Sequence, residues 1–337
     1  MINQVYQLIS PRVFSVKYEA ICARDEVLIR PRYLAICHAD QRYYLGKRDV
    51  NVLRKKLPMA LIHEACGEVL FDPTGTLGVG QKVVLIPNIP GKQSDFIYEN
   101  YAKGSGFRSS GNDGFMRELV NLPVDRVVAF DNIPLKVAAI TEFVSVAVHA
   151  VERFQCISHM DRDVIGIWGD GSLAFVVACV LERTFPDSKI VVVGKDLRKL
   201  SNFSFVHRTY LAQGLPDDFY IDHAFECAGG EGSYYAIDDM IKTISPQGTL
   251  MLMGVSENQI PIKTRNVLEK GLTLIGCSRS GRKDFERAVE IMEQGDVQNR
   301  LHAIIYEIDP IQHMSDLHRA FSLDLATPFK TVFEWGM

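Results

Sequence analysis

Over the first 130 or so residues the apolar positions fall in short bursts cut by turn residues, the rhythm of β-strands. "EVLIRPRYLAI" (26–36), "ALIHEACGEVLF" (60–71) and "QKVVLIPNI" (81–89) read as strands, separated by "DPTGTLGVGQ" and "NIPGKQ". Residues 91–114, "GKQSDFIYENYAKGSGFRSSGNDG", are polar and glycine-rich and predict a long loop. A helical period follows from Leu135 to Phe154, with Val137, Ile140, Val144 and Val148 on one face.

After Asp163 strands and helices alternate. "DVIGIWG" reads as a buried strand, "SLAFVVACVLERTF" as a helix and "KIVVVG" as the next strand. "DHAFECAGG", "GTLMLMGV" and "LTLIGC" continue the series to residue 277. Such alternation implies a parallel sheet covered on both faces. "KDFERAVEIMEQG" predicts an amphipathic helix stopped by its glycine, and "TPFKTVFEWGM" returns to strand character. The expected class is α/β: a β-rich domain over residues 1–145, a doubly wound domain over 146–277, and a segment, 278–337, that rejoins the first.

Composition narrows the function. The chain has 337 residues, 47% apolar and 23% charged, with a net charge of −4. That profile suits a soluble globular protein of two domains. No basic tract marks a nucleic-acid partner. Apolar runs such as "LAFVVACVL" are too short to span a membrane, and "INQVYQLIS" lacks a signal-peptide core. The seven cysteines are scattered with no C-x-x-C pair. A reducing cytoplasm is expected, without disulfides or a cysteine-cage zinc site.

Candidate chemistry starts at "GDGSLA" (169–174), between a buried strand and a helix. Gly169 suits the tight turn and Gly171 lets backbone approach a pyrophosphate. Ser172 and Leu173 open the helix, and Ala174 is small enough for close packing. At the end of the next strand, where an NAD-binding protein carries an acid for the ribose 2′-hydroxyl, this chain has Gly194 followed by Lys195 and Lys199. A glycine leaves room for a 2′-phosphate and the lysines neutralise it, so the cofactor expected is NADPH.

"AICHADQRYY" (35–44) sets Cys37 beside His38. Alone, Cys37 reads as a small buried hydrophobe. His63 and Glu64 in "LIHEACGEV", and Glu142 on an otherwise apolar helical face, change that reading, because a buried carboxylate needs a partner or a metal. In this order ahead of a dinucleotide loop, "CHAD", "HEACGEV", "GQKVV" and the Glu142 segment resemble the zinc-dependent medium-chain dehydrogenase/reductase superfamily over nearly the whole chain. The resemblance implies a GroES-like catalytic domain with a Rossmann domain. It implies one catalytic Zn²⁺ on Cys37, His63 and Glu142, with Glu64 able to approach the metal and His38 facing cofactor phosphates. It also implies a homodimer. One thiolate, one imidazole and one carboxylate suit Zn²⁺ and leave a position for substrate oxygen.

Two departures matter. The 91–114 loop has no cysteine, so the four-cysteine structural zinc of many relatives is not expected. Ala39 stands where relatives place a relay Ser or Thr, which leaves water, Glu64, Tyr43 or Tyr44 to carry the proton. Within the superfamily, "CHADQRYY", "GKDLRK" and "EKGLTLIGCSRSGRKDF" resemble most the ribulose-5-phosphate reductases. These make ribitol 5-phosphate for teichoic acid or capsule, beside a cytidylyltransferase that forms CDP-ribitol. A phosphorylated ketose needs a cation, and Arg42, Lys103, Arg108, Arg279, Arg282 and Lys283 are available. Arg42 is preferred, with Tyr43 beside it, for its place five residues past Cys37. An unphosphorylated polyol dehydrogenase and an inactive nucleotide-binding scaffold are the alternatives.

Overall fold

The chain opens with a hairpin: Ile2–Ser10 pairs antiparallel with Val13–Ala20, and Arg12 in the turn takes φ 62°. The computed structural model describes residues 1–337 and resolves into two units, Met1–Ser145 with Arg279–Met337, and Val146–Ser278. No helix is long and apolar enough to cross a membrane.

The first unit is built on a seven-stranded sheet. Its order is Val127–Ala129, Lys82–Leu85, Glu64–Phe71, Val27–Ala35, Lys330–Glu334 and Ile305–Glu307, with Val120–Leu122 also pairing Val27–Ala35. Pro31 sits inside the Val27–Ala35 strand where the register slips between Pro31 and Tyr33, since proline donates no ladder bond. Ile29, Leu34, Phe115, Phe321 and Phe333 are fully buried and fill the core. Register matters for function here. Ala35 pairs with Glu64 on one side and Val332 on the other, so Cys37, Glu64 and Lys330 gather at one end of three strands.

The second unit is the expected parallel sheet. Its six strands run Arg208–Leu211, Lys189–Gly194, Val164–Trp168, His223–Glu226, Thr249–Leu252 and Thr273–Gly276. Ile165, Ile167, Val192, Phe225 and Leu250 are almost wholly shielded, as strands covered on both faces must be.

Three expectations need correction. The helix foreseen over 135–154 is two, Leu135–Ala138 and Thr141–Ile157, joined where the Thr141 hydroxyl donates to the Ala138 carbonyl at 2.7 Å. Gly295 does not stop the late helix, which already ends at Met292; it opens the next one, Gly295–His302. His38–Tyr44 and Val50–Lys56 are short helices that the strand-like rhythm around them hides.

One buried group gives the second unit a pH dependence. His223 is fully shielded and its Nδ1 accepts from the Thr249 N–H at 3.1 Å, which only a neutral ring can do. Burial, aided by His159 beside it, pushes its pKa down to about 4. The unfolded chain then binds a proton the folded chain refuses between pH 6.5 and 4, so stability is full above that window and falls as pH drops through it. The expected loss is about 3 kcal/mol. Denaturant unfolding across pH 4–7 should show this slope in the native protein and a shallower one in His223→Gln. Parallel curves for the two would rule out the assignment.

Candidate functional site

The first unit carries a cluster of ligating side chains. Cys37 caps the helix His38–Tyr44, with extended backbone that turns its side chain toward the strand ends. The third helical residue, Asp40, closes a capping box by accepting from the Cys37 N–H at 3.2 Å. Asp40 does more than cap. It is fully buried, and its other oxygen accepts from the Ile62 N–H at 3.0 Å and the Ser109 hydroxyl at 2.5 Å. The first carboxylate oxygen lies 3.6 Å from His63 Nδ1. Burial would raise its pKa, but His63 and these donors hold it below the ordinary carboxylate value.

Ile62, just before His63, sits at φ 66°, a costly conformation for a β-branched residue. Its N–H is tied to Asp40 and its carbonyl accepts from the Phe115 N–H at 2.7 Å. Strain in the backbone is thus tolerated to aim His63. With Nδ1 turned to Asp40, Nε2 is left for a metal, the carboxylate–histidine arrangement that fixes ring orientation.

Cys37, His63 and Glu64 bring one ligand atom each within 4.8 Å of one another. Burial disfavours a charged His63, yet Asp40 and Cys37 raise its pKa well above normal. Glu64 is fully buried. Its Oε1 accepts from Lys330 Nζ at 2.5 Å, while Oε2 has no hydrogen-bond partner. Glu142 lies outside the mutual 4.8 Å set but faces it: burial, with Glu64 nearby, pushes its pKa up to about 7 against the pull of His63. A thiol, an imidazole and two carboxylates, one with an orphaned buried oxygen, form a donor set that fits a divalent zinc ion.

Lys330 was not foreseen. It is buried, donates also to the Ile36 carbonyl at 3.0 Å, and lies over the Phe143 ring at 4.6 Å. Burial opposes its charge, but Glu64 and Cys37 hold its pKa above the normal lysine value. It lies more than 260 residues from Glu64 in sequence, so no local motif announces it.

The remaining residues of the "CHADQRYY" helix are split in their surroundings. Partial desolvation, then Arg42, lower the pKa of His38, so Arg42 stands near His38. Tyr43 is buried with Arg48 and Lys56 over its ring at 5.0 and 5.9 Å. Tyr44 stacks on Phe321 and its hydroxyl pairs with His318 Nδ1 at 2.9 Å. Tyr44 is therefore committed elsewhere, whereas Glu64 keeps one buried oxygen without a hydrogen-bond partner. The cysteine-free loop is fastened by Glu99, which receives a two-pronged ion pair from Arg126 at 2.7 and 3.1 Å and the Arg282 N–H at 2.8 Å.

In the second unit, a cavity of about 250 Å³ lies at the carboxyl ends of the strands, lined by Gly169, Gly171, Gly194, Lys195, Lys199 and Tyr235 among others. Gly169 adopts φ 143°, and a Cβ there would sit 2.9 Å from the Cys227 backbone. A Cβ on Gly171 would meet nothing within 4 Å, which leaves open space at the start of the helix Ser172–Thr184. Ser172 and Leu173 form its first turn and Ala174 is fully buried against the sheet. Open space beside helix N–H groups suits a pyrophosphate.

An acid does reach the end of the second strand, but from the glycine loop. Asp170 accepts from the Lys195 and Asp196 N–H groups at 2.7 and 2.9 Å. A Cβ on Gly194 would lie 2.7 Å from Asp170 Cβ, so Gly194 makes room for this carboxylate. The space at Gly194 is therefore shared between the Asp170 carboxylate and any 2′-phosphate. With Oδ2 accepting from both backbone N–H groups, Asp170 pins the turn that presents Lys195 and Lys199. Lys199 Nζ is 3.9 Å from Asp170, and Lys195 Nζ lies 5.4 Å over the Tyr235 ring. Opposite, Glu226 fixes the loop wall by accepting from Ala228, Gly229 and Gly254 N–H groups and the Ser233 hydroxyl.

Comparison with known proteins agrees with this chemistry. The alcohol dehydrogenase GroES-like domain model matches residues 23–132, and the zinc-binding dehydrogenase model matches 211–294. The chain is 56% identical over 338 residues to a ribulose-5-phosphate reductase of Streptococcus pneumoniae, covering 99% of this chain and 98% of the relative. It is 49% identical over 341 residues to ribulose-5-phosphate reductase 1 of Staphylococcus aureus, with both chains fully covered. The crystal structure of S. aureus TarJ in complex with NADPH superposes with a TM-score of 0.89 at 45% identity, over the whole of both chains.

Proposed function

The chain belongs to the ribulose-5-phosphate reductases of the zinc-dependent medium-chain dehydrogenase superfamily, and on that premise we propose how its residues serve the reaction. The protein is an NADP-dependent oxidoreductase that reduces D-ribulose 5-phosphate to D-ribitol 5-phosphate with NADPH. Our reading extends to a cytoplasmic homodimer whose product passes to a cytidylyltransferase and on, as CDP-ribitol, to teichoic acid or capsule. The observation that carries the residue assignments is the convergence of Cys37, His63 and Glu64 within 4.8 Å, backed by a buried ammonium.

Cys37, His63 and Glu142 would hold zinc, with Glu64 beside them. Zinc bound there would polarise the C2 carbonyl as a Lewis acid, while NADPH supplies the hydride. Asp40, 3.6 Å from Nδ1, would orient His63 electrostatically so that Nε2 meets the metal. Lys330 offsets one of the three acidic charges and restrains Glu64. Glu64 Oε2 is the acceptor placed to exchange a proton where Ala39 cannot. In the second unit Gly171 and the helix start would receive the pyrophosphate, and Lys195 and Lys199 the 2′-phosphate. Metal analysis together with NADPH oxidation against ribulose 5-phosphate and ribulose tests the whole. Turnover without metal, or equal kcat/KM for both sugars, would refute it.

The cofactor assignment carries its own expectation. Lys195→Ala and Lys199→Ala should each weaken NADPH binding by about 1.5–3 kcal/mol, the worth of a charge-assisted contact. NADH binding should change little. Gly194→Asp is a poor switch to NADH, because the new side chain would strike Asp170. Equal losses for the two cofactors in titration calorimetry would remove the lysines from the 2′-phosphate site.

A further inference from the structure

If the substrate is a phosphorylated ketose, as proposed above, a cation must meet its phosphate within the span of a five-carbon chain from the reacting carbonyl. The basic residues of the first unit differ sharply in how far they are already used. Arg126 is bound to Glu99 and Asp125, Arg117 pairs with Asp113 and Glu19, and Lys330 with Glu64. Arg282 is bound to Glu286 and to the Val124 and Val127 carbonyls. Arg108 reaches the Asp113 carbonyl at 3.5 Å, and burial lowers its pKa to about 10. Lys103 and Lys283 are exposed, and Arg42, preferred from its place in the sequence, is partly desolvated with the like charge of Arg48 beside it.

Arg279 stands apart. It is half-buried, yet its guanidinium has no carboxylate or carbonyl partner. What holds it is a ring: its central carbon lies 5.0 Å over Phe107. Phe107 in turn packs edge-on to the ligand His63, with centroids 5.2 Å apart. Stacking uses the face of a guanidinium and leaves the in-plane N–H donors free, which is the geometry for a two-pronged grip on phosphate.

The backbone confirms the placement. Arg279 adopts φ 59°, uncommon for a residue with a Cβ and worth about 1–3 kcal/mol. Its neighbour Ser280 is buried, with its hydroxyl 2.7 Å from that of Ser145, and Ser145 donates to the Glu142 carbonyl at 2.6 Å. On the other side the Gly281 N–H donates to Asp284 at 2.6 Å. The strained residue is therefore anchored to the segment of one proposed ligand, Glu142, and stacked one ring away from another, His63.

We infer that Arg279 is the phosphate-binding residue of the substrate site, its guanidinium positioned by Phe107 to take the 5-phosphate while C2 is at the metal centre. The same group could instead take a phosphate of the cofactor, and the test separates the two.

Initial rates with ribulose 5-phosphate and ribulose are measured for the native enzyme, Arg279→Met and Arg279→Lys, with NADPH affinity by fluorescence and inorganic phosphate as a competing probe. Native preference for ribulose 5-phosphate is the premise; without it the proposed substrate itself fails. Given that preference, Arg279→Met should lower kcat/KM for ribulose 5-phosphate roughly a hundredfold and Arg279→Lys roughly tenfold. Both should leave kcat/KM for ribulose and the NADPH affinity unchanged, and inhibition by inorganic phosphate should weaken in step. An unaltered preference in Arg279→Met overturns the inference, as does a matching loss of NADPH affinity, which would assign the residue to the cofactor. Should Arg279→Met not fold, Arg279→Gly, which suits the left-handed backbone, takes its place with the same expected and contrary outcomes.

Discussion

Replacing Cys37 with Ala should remove bound zinc and abolish turnover while NADPH binding persists. Thiolate is the softest and most tightly held ligand of the set, and the other donors are an imidazole and buried carboxylates already engaged with Asp40 and Lys330. Without it, His63 and Glu142 cannot hold the ion against dilution, so zinc per chain should fall from one to near zero. The glycine loop and its lysines lie wholly within residues 146–278, so cofactor affinity has no reason to follow. Elemental analysis beside a NADPH titration reads both halves at once. Retained zinc in Cys37→Ala would show that the ion is held elsewhere. Two zincs per native chain would show a second site that the cysteine-free 91–114 loop does not account for.

The fold was legible where period and turn chemistry agree. Buried β-branched runs such as "KIVVVG" and the strand–helix alternation after Asp163 translate directly into a parallel sheet, because both faces must be covered. The candidate ligands Cys37, His63 and Glu142, and Glu64 beside them, were legible because each lies in a short recognisable segment, although the tight cluster of the structure is Cys37, His63 and Glu64. What stayed hidden is long-range. Lys330 reaches Glu64 only because the final strand inserts beside Val27–Ala35, and one sequence carries no record of that pairing. Asp170 was hidden for a different reason. The absence of an acid at Gly194 was visible, but a carboxylate supplied from the neighbouring turn was not. Arg279 was visible as one of six candidate cations, and only its stack on Phe107 sets it apart from them.

Lys330→Met should destabilise the metal-free protein by about 3–5 kcal/mol, the cost of leaving a buried charge without its partner. Glu64 has no exposed surface and one of its oxygens already lacks a hydrogen bond, so the ammonium at 2.5 Å is its main compensation. Zinc should then do what the lysine no longer does. With Lys330 present, the ammonium and the ion share the charges of Glu64, Glu142 and Cys37; without it the ion faces the surplus alone. Saturating zinc should therefore raise the unfolding free energy of Lys330→Met by more than it raises that of the native protein. Activity should still fall, because a Glu64 freed from Lys330 can compete with substrate oxygen for the open coordination position. The double replacement Lys330→Met with Glu64→Gln separates charge from packing. It removes both ions together, and the metal-free protein should regain most of the lost stability, to within about 1 kcal/mol of the native value. Urea unfolding of the native protein, Lys330→Met, Glu64→Gln and the double replacement, with chelator and with zinc, closes the cycle. If the single and double replacements are equally unstable, Lys330 acts through its packing on Phe143 and Ile36, and its charge plays no part in holding Glu64.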